Sequence, residues 1–370
     1  MILLYLAGLI LCFYLLAKIC DQYFVQSLDI IAKKLKLSED VAGATFMAIG
    51  TSAPEFFTAL LALFKIGAED IGAGTIVGSA IFNILVIIGG SAVVARAYVR
   101  WQPVLRDMTF YVLSILVMLF TFRDGHITLT ETAFYLAIYA LYIVVLASWS
   151  KWHKPAPVTT QLKAIEEAVE RATEVQKPRT VFSAALKHVD TILEKTFPNL
   201  DKHPEKYPLT FTISIGWIIA LSWALVELGV ALAGDLGIPQ AIVALTILAG
   251  GTSVPDLLAS LIVAKQGRGD MAVSNAVGSN IFDVLICLGL PWFGYILFTG
   301  KSVPIATESL MSSVFLLFGT VIAVLFVFLI KRFHISRSSG YALIGLYLAY
   351  LAFTAYGALY PAKLQISNWF

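Results

Sequence analysis

Residues Gly50–Glu55 read GTSAPE, and Gly251–Asp256 read GTSVPD. Each sits inside a long apolar run, where a proline and a carboxylate are both poorly tolerated in a membrane helix. The two copies organise the chain around them. Thr45, Gly50, Thr51, Ser52 and Pro54 match Thr246, Gly251, Thr252, Ser253 and Pro255 at an offset of 201. From Lys65 onward the offset is 200: Lys65, Gly67, Asp70, Val77, Gly78, Ser79, Ile81, Phe82 and Gly89 match Lys265, Gly267, Asp270, Val277, Gly278, Ser279, Ile281, Phe282 and Gly289.

The surrounding composition is that of a membrane protein. Of 370 residues, 59% are hydrophobic and 14% charged, against about 25% charged in soluble domains. Apolar runs near the length of a bilayer crossing recur along the chain. They predict ten spans, at 2–20, 42–65, 71–95, 102–122, 127–150, 209–234, 240–263, 271–298, 307–330 and 340–360. The first has no small-residue cleavage site after it and is expected to be a retained helix. Cys12, Cys20 and Cys287 offer neither a disulfide framework nor metal spacing.

Lysine and arginine favour cytoplasmic loops. With segment 151–208 inside, 22 of the 26 basic residues fall on that side, and only Lys65, Arg123, Lys301 and Lys363 fall outside. Both termini are then expected outside. The chain divides into a first five-helix repeat (1–150), a polar cytoplasmic loop (151–208) and a second five-helix repeat (209–370). The loop carries a helically spaced apolar set from Val181 to Leu193, expected to lie on the membrane or protein surface. Five spans separate the two motifs, an odd number, so they enter the membrane from opposite sides. The expectation is an all-α polytopic membrane protein, ten transmembrane helices as two inverted five-helix repeats. That is the architecture of secondary transporters with a midplane site.

Chemistry at the repeats points the same way. Pro54 and Pro255 remove amide donors and free backbone carbonyls around Gly50–Thr51 and Gly251–Thr252. Such breaks persist in a membrane where they line a cavity. Glu55, Asp256 and Asp283 would together cost on the order of 8–10 kcal/mol if unpaired. All five histidines lie outside the predicted spans, and no lysine or arginine is expected at comparable depth. The compensating charge is then a cation supplied from outside the protein. Candidate donors are all oxygen: those three carboxylates, the hydroxyls of Thr51, Ser52, Ser79, Thr252, Ser253 and Ser279, the Asn83 amide and the freed carbonyls. This set suits Ca2+, Na+, K+ or Mg2+ and disfavours zinc, copper or iron. A crowded, dry cage favours calcium. Thr51/Glu55, Thr252/Asp256, Ser79/Asn83 and Ser279/Asp283 are each four apart and expected on shared helix faces. Gly72, Gly74 and Gly78 suit close helix contact. The GRGD stretch at Gly267–Asp270 fits an intramembrane aspartyl protease pattern, but a charged turn beside a helix start is the better expectation.

On these residues the sequence resembles the cation/calcium antiporter superfamily, and within it the potassium-dependent sodium/calcium exchangers. The resemblance is carried by SEDVAGATFMAIGTSAPEFFTALLALF (38–64), GTIVGSAIFNILVIIG (74–89) and GTSVPDLLASLIVAKQGRGDMAVSNAVGSNIFDVLICLGLPW (251–292). The proton/calcium branch usually has Gly-Asn where this chain has Gly-Thr-Ser. The resemblance implies that Glu55 and Asp256 are the central calcium carboxylates. Thr51, Thr252 and the carbonyls of Ala48 and Ala249 would complete the calcium and sodium cages. Ser52, Ser79, Asn83, Ser253, Ser279 and Asp283 would shape the sodium sites, with Asp283 tied to potassium dependence. It also implies alternating access by movement of spans 1 and 6 and a plasma-membrane location. Its partners are the ions Ca2+, Na+ and K+ and the lipid bilayer, with no nucleic acid, as a monomer or homodimer. No enzymatic activity and no cofactor are expected, the ions being cargo. A proton/calcium antiporter, a potassium-independent exchanger, a cation channel and an intramembrane protease are the rival readings. The 151–208 loop is shorter than animal members usually carry.

Overall fold

The computed structural model describes residues 1–35, 48–65, 68–94, 97–98, 101–152, 190–200, 202–265, 269–305 and 307–359. The amphipathic stretch beginning at Val181 falls mainly outside these residues, as do Gly267 and Arg268 of the GRGD stretch.

Among the described residues, eight helices are long and apolar enough to cross a membrane: Ile2–Leu28, Asp70–Val94, Trp101–Thr121, Leu129–Trp149, Pro204–Leu236, Ala272–Thr299, Leu310–Ile330 and Arg337–Gly357. A ninth is the pair Gln240–Thr252 and Val254–Leu261, bent by 40°. The predicted span 42–65 is described from Ala48 onward and contributes the shorter apolar helix Ala53–Ala62. Its first residues lie outside the described set. The first span differs from expectation. It runs on to Leu28 instead of ending near residue 20, because a π-helical turn at Cys20–Phe24 carries the helix onward. The extension brings Asp21 into the span, and Lys18, inside it in either case, pairs with Asp190.

In chain order the elements that position the site are α1 (Ile2–Ile19), α2 (Val25–Lys34), α3 (Ala48–Thr51), α4 (Ala53–Ala62), α5 (Glu69–Phe82), α6 (Ile88–Val94), α7 (Trp101–Thr121) and α8 (Leu129–Trp152). The second half supplies α9 (Tyr207–Leu236), α10 (Gln240–Val243), α11 (Ala249–Thr252), α12 (Val254–Lys265), α13 (Gly269–Phe282), α14 (Gly289–Thr299), α15 (Thr307–Ile330) and α16 (Arg337–Leu359). Both motif helices break at a serine. Ser52, at φ −92° and ψ 10°, separates α3 from α4, and Ser253, at φ −84° and ψ 0°, separates α11 from α12. Each proline is the second residue of the helix that follows, a position whose amide has no intrahelical partner.

Two short antiparallel ribbons close the bundle. β1 (Ala97–Tyr98) pairs with β4 (His334–Ile335), joining the α6–α7 and α15–α16 connections. β2 (His126–Ile127) pairs with β3 (Val303–Pro304), joining α7–α8 to α14–α15.

The span built on α5 and α6 is the most enclosed of these eight, with 94% of its apolar window buried. It packs through glycines, as expected, with Gly78 against the second motif and Gly72 against α4 of the first. A Cβ at Gly78 would stand 2.3 Å from the Leu245 carbonyl oxygen, and one at Gly72 would stand 3.0 Å from the Ala59 Cα. Apolar packing falls into two clusters. One gathers α1 and α9 with Leu193 and Phe197, and includes Ala53, Ala62 and Leu248. The other gathers most of α5 and α6 with α7, α8 and α13 to α16. The motif segments lie where the two clusters meet, with Leu245 in one and Ala244 in the other.

Candidate functional site

The helix breaks bring the motifs of the two halves together. The Ser52 hydroxyl lies 3.1 Å from that of Ser279, and Ser79 lies 2.7 Å from Ser253. Ser279 donates to Asp256 Oδ2 at 2.9 Å. Asn83 donates through Nδ2 to Asn280 Oδ1 at 2.9 Å. All of these side chains are buried, and so are Glu55, Thr252 and Asp283, while Thr51 is half-buried. Asn83 and Asp283 each open a π-helical turn, Asn83–Ile87 and Asp283–Leu288. Such turns insert an extra residue and re-aim side chains, and they recur at functional sites.

Glu55, Asp256 and Asp283 lie within electrostatic range of one another. Both oxygens of Glu55, Asp256 Oδ1, Asp283 Oδ2 and Asn83 Oδ1 are buried without a hydrogen-bond partner among the described residues. No basic side chain pairs with any of the three acids among the described residues. Three mutually interacting carboxylates are thus left with no basic group among the described residues to neutralise them, and the Asn83 amide oxygen is a further acceptor left over. A buried carboxylate in that state is costly, so the arrangement calls for a cation. Among the described residues no three His, Cys, Asp or Glu side chains close on a single metal position. Hydroxyl, amide and backbone oxygens would have to share the coordination, which is the chemistry of alkali and alkaline-earth ions.

The same-face pairs expected at spacing four are only part of the geometry. The break at Ser52 puts Thr51 and Glu55 on different helices, and the close approaches run across the repeats. Thr51 comes up to Asp256, and Thr252 comes up to Glu55. Ala48 opens α3 as Ala249 opens α11. The Ala249 carbonyl is not free: it accepts from Thr252 Oγ1 and from the Ser253 amide, each at 3.3 Å.

The structure adds residues that the motif reading passed over. Asn280 is fully buried and donates to the Ala80 carbonyl at 3.1 Å and to the Tyr111 hydroxyl at 2.9 Å. It clamps the two halves together while leaving Asn83 Oδ1 free. Its mate at offset 200 is Ala80, so a search for matched positions discards it. Thr58 and Thr75 are buried hydroxyls without partners among the described residues, near the motifs in sequence. Their mates at offsets 201 and 200 are Ala259 and Asn275, so repetition gave no signal.

A bundle of apolar helices whose two proline-bearing breaks meet across unpaired carboxylates defines a multi-pass integral membrane protein built around an acidic pocket. The chain belongs to the sodium/calcium exchanger protein family, which it matches over residues 5–147 and 206–356. It is 33% identical to human sodium/potassium/calcium exchanger 5, over 99% of this chain and 85% of that one. It is 29% identical to rat sodium/potassium/calcium exchanger 2, over 95% of this chain and 77% of that one. Its fold is shared with the H+/Ca2+ exchanger CAX, at a TM-score of 0.67 and 14% identity over 94% of this chain and 82% of that one. The sodium-calcium exchanger NCX_Mj, soaked with 2.5 mM Na+ and 0.1 mM Sr2+, superposes at 0.56 with 24% identity over 95% and 99% of the two chains.

Proposed function

We propose that this chain is a secondary active antiporter that exchanges Na+ for Ca2+ by alternating access, with K+ co-transported, and that it normally extrudes calcium across the plasma membrane. The observation that carries the reading is the set of five partnerless acceptor oxygens on Glu55, Asp256, Asp283 and Asn83. In the proposed cage, Glu55 and Asp256 bind calcium, with Thr51, Thr252 and the Ala48 and Ala249 carbonyls around them. Ser52, Ser79, Asn83, Ser253, Ser279 and Asp283 form the flanking sodium positions, Asp283 also serving potassium.

The proposed architecture is ten spans in two inverted repeats of 1–150 and 209–370, with 151–208 cytoplasmic and both termini outside. The ribbon pairing supports it. At offsets of 206 and 208, Ala97 and His126 correspond to Val303 and His334, so the repeat exchanges the β1–β4 ribbon for β3–β2. The separate packing of α1 and α9 supports movement of spans 1 and 6 against the rest. An empty cage would carry uncompensated carboxylates through a low-dielectric barrier, at a cost on the order of 8–10 kcal/mol by insertion scales. That penalty couples each crossing to a bound ion and enforces exchange over leak. Uptake of calcium-45 into proteoliposomes under imposed sodium and potassium gradients tests the reading. Uptake that follows a pH gradient and ignores sodium would instead assign a proton/calcium antiporter.

A further inference from the structure

Span 1 holds one carboxylate that the cage does not use. Asp21 is the second residue of the π-helical turn Cys20–Phe24, inside the span Ile2–Leu28. It is partly exposed and makes no hydrogen bond or ion pair among the described residues. Its neighbour Cys20 is buried, within electrostatic range of Glu55, Asp256 and Asp21 itself. The turn that carries Asp21 packs against α3 (Ala48–Thr51) of the first motif, which puts Asp21 at the edge of the acidic cluster. It is displaced toward the end of span 1 where Phe197 stacks on Tyr23 at 4.0 Å, the side bearing segment 151–208. Lys18, one turn away, does not neutralise it, because Asp190 already engages that ammonium. Ionisable groups inside spans turn toward water-filled cavities or the bundle interior and mark ion pathways.

The repeat gives this position a counterpart. At offset 201 Asp21 corresponds to Ser222 of α9, and the register holds without a gap. Leu35 caps α2 and Leu236 ends α9, and the next motif helices begin at Ala48 and Ala249. Ser222 is fully buried, and its hydroxyl has no hydrogen-bond partner among the described residues. Spans 1 and 6 thus each carry a polar group without a partner among the described residues, one an acid that is partly exposed and the other a neutral hydroxyl that is fully buried.

We propose that Asp21 is a relay position that receives a hydrated divalent cation at the pocket mouth, on the side of segment 151–208, before the ion passes to Asp256 and Glu55. The proposal rests on the exchanger reading above. A carboxylate at the mouth concentrates cations of higher charge and favours capture from that face. The neutral Ser222 gives no such gain at the other.

The full chain, reconstituted and sorted by orientation, tests this. Absence of sodium-driven calcium-45 uptake by the wild type would overturn the exchanger reading itself. Where that uptake is present, Asp21→Asn should raise the calcium concentration for half-maximal transport at the loop-bearing face by roughly three- to ten-fold, as expected for losing one charge near an aqueous path. The maximal rate and the opposite face should be unchanged, and Asp21→Glu should stay near wild type. Choline chloride added to the wild type should weaken apparent calcium affinity more at the loop-bearing face, because it screens exposed charge. An Asp21→Asn protein with unaltered loop-face affinity, or with equal shifts at both faces, overturns the relay. So does equal weakening of both faces by choline chloride.

Discussion

Ser79 and Ser253, 174 positions apart in the chain, share a hydrogen bond of 2.7 Å between their side chains. The equivalent pair, Ser52 and Ser279, meets at 3.1 Å, so the contact is made twice, once in each sense of the repeat. The second copy has an added function. Ser279 also donates to Asp256 Oδ2, fixing one oxygen of that carboxylate while Oδ1 stays free. Ser279→Ala removes a hydrogen bond to a charged acceptor, worth about 1.5–3 kcal/mol. It should raise the half-saturating calcium concentration about ten- to a hundred-fold on that scale. Ser79→Ala removes a contact between neutral hydroxyls and should cost less. Calcium-45 uptake titrated for both variants checks the order.

Glu55 leaves both carboxylate oxygens buried and partnerless, which makes it the most exacting position in the cage. Glu55→Gln keeps the shape and removes the charge. In ion-free buffer the variant should melt higher than the wild type, because a buried uncompensated charge has been lost. Calcium should stabilise the wild type by about 2.7 kcal/mol at a hundred times its Kd, following mass action, and should leave Glu55→Gln nearly unmoved. Exchange by that variant should be abolished. Melting in detergent with and without calcium measures both signs at once.

Much of this was readable in the sequence because proline and carboxylate are conspicuous inside an apolar run. Pro54, Glu55, Pro255 and Asp256 stand out by residue type alone, and their recurrence at a fixed offset announces two related halves. The end of span 1 was not readable. The π-helical turn at Cys20–Phe24 is a backbone adjustment with no residue-type signature, and Lys18 and Asp21 look like the polar end of a helix until Asp190 is placed against the first of them. Asn280 and Tyr111 were hidden for a different reason. Each acts across the bundle, from a position whose repeat mate is chemically unlike it or absent, and only tertiary packing puts the two at 2.9 Å.

Asp283 and Asn83 break the symmetry of the cage, since one half carries an acid where the other carries an amide. Asp283 presents Oδ2 without a partner, while Cys287 donates to Oδ1 at 3.6 Å. Asp283→Asn makes the halves alike and removes one negative charge. The expected outcome is loss of potassium dependence with part of the sodium/calcium exchange retained. Uptake measured over a potassium titration at fixed sodium decides it, and an unchanged potassium requirement would remove Asp283 from the assignment.

Gly78 and Gly278 hold equivalent places in the repeat and face different surroundings. A Cβ on Gly78 would lie 2.3 Å from the Leu245 carbonyl oxygen and 2.6 Å from the Ala249 Cβ, whereas one on Gly278 would meet nothing within 4 Å. The first clash is with backbone and cannot be relieved by turning a side chain. Gly78→Ala must push α5 away from the π-helical turn Ala244–Leu248, at about 1–3 kcal/mol or more for overpacking. Gly278→Ala fills open space and gains helix propensity of up to about 1 kcal/mol. The two variants should therefore move the melting temperature in detergent in opposite directions. Gly78→Ala should also impair transport, since Leu245 and Ala249 lead directly into Gly251–Asp256. Equal melting temperatures for the pair would mean that the two motif helices pack alike, contrary to the asymmetry seen at these glycines.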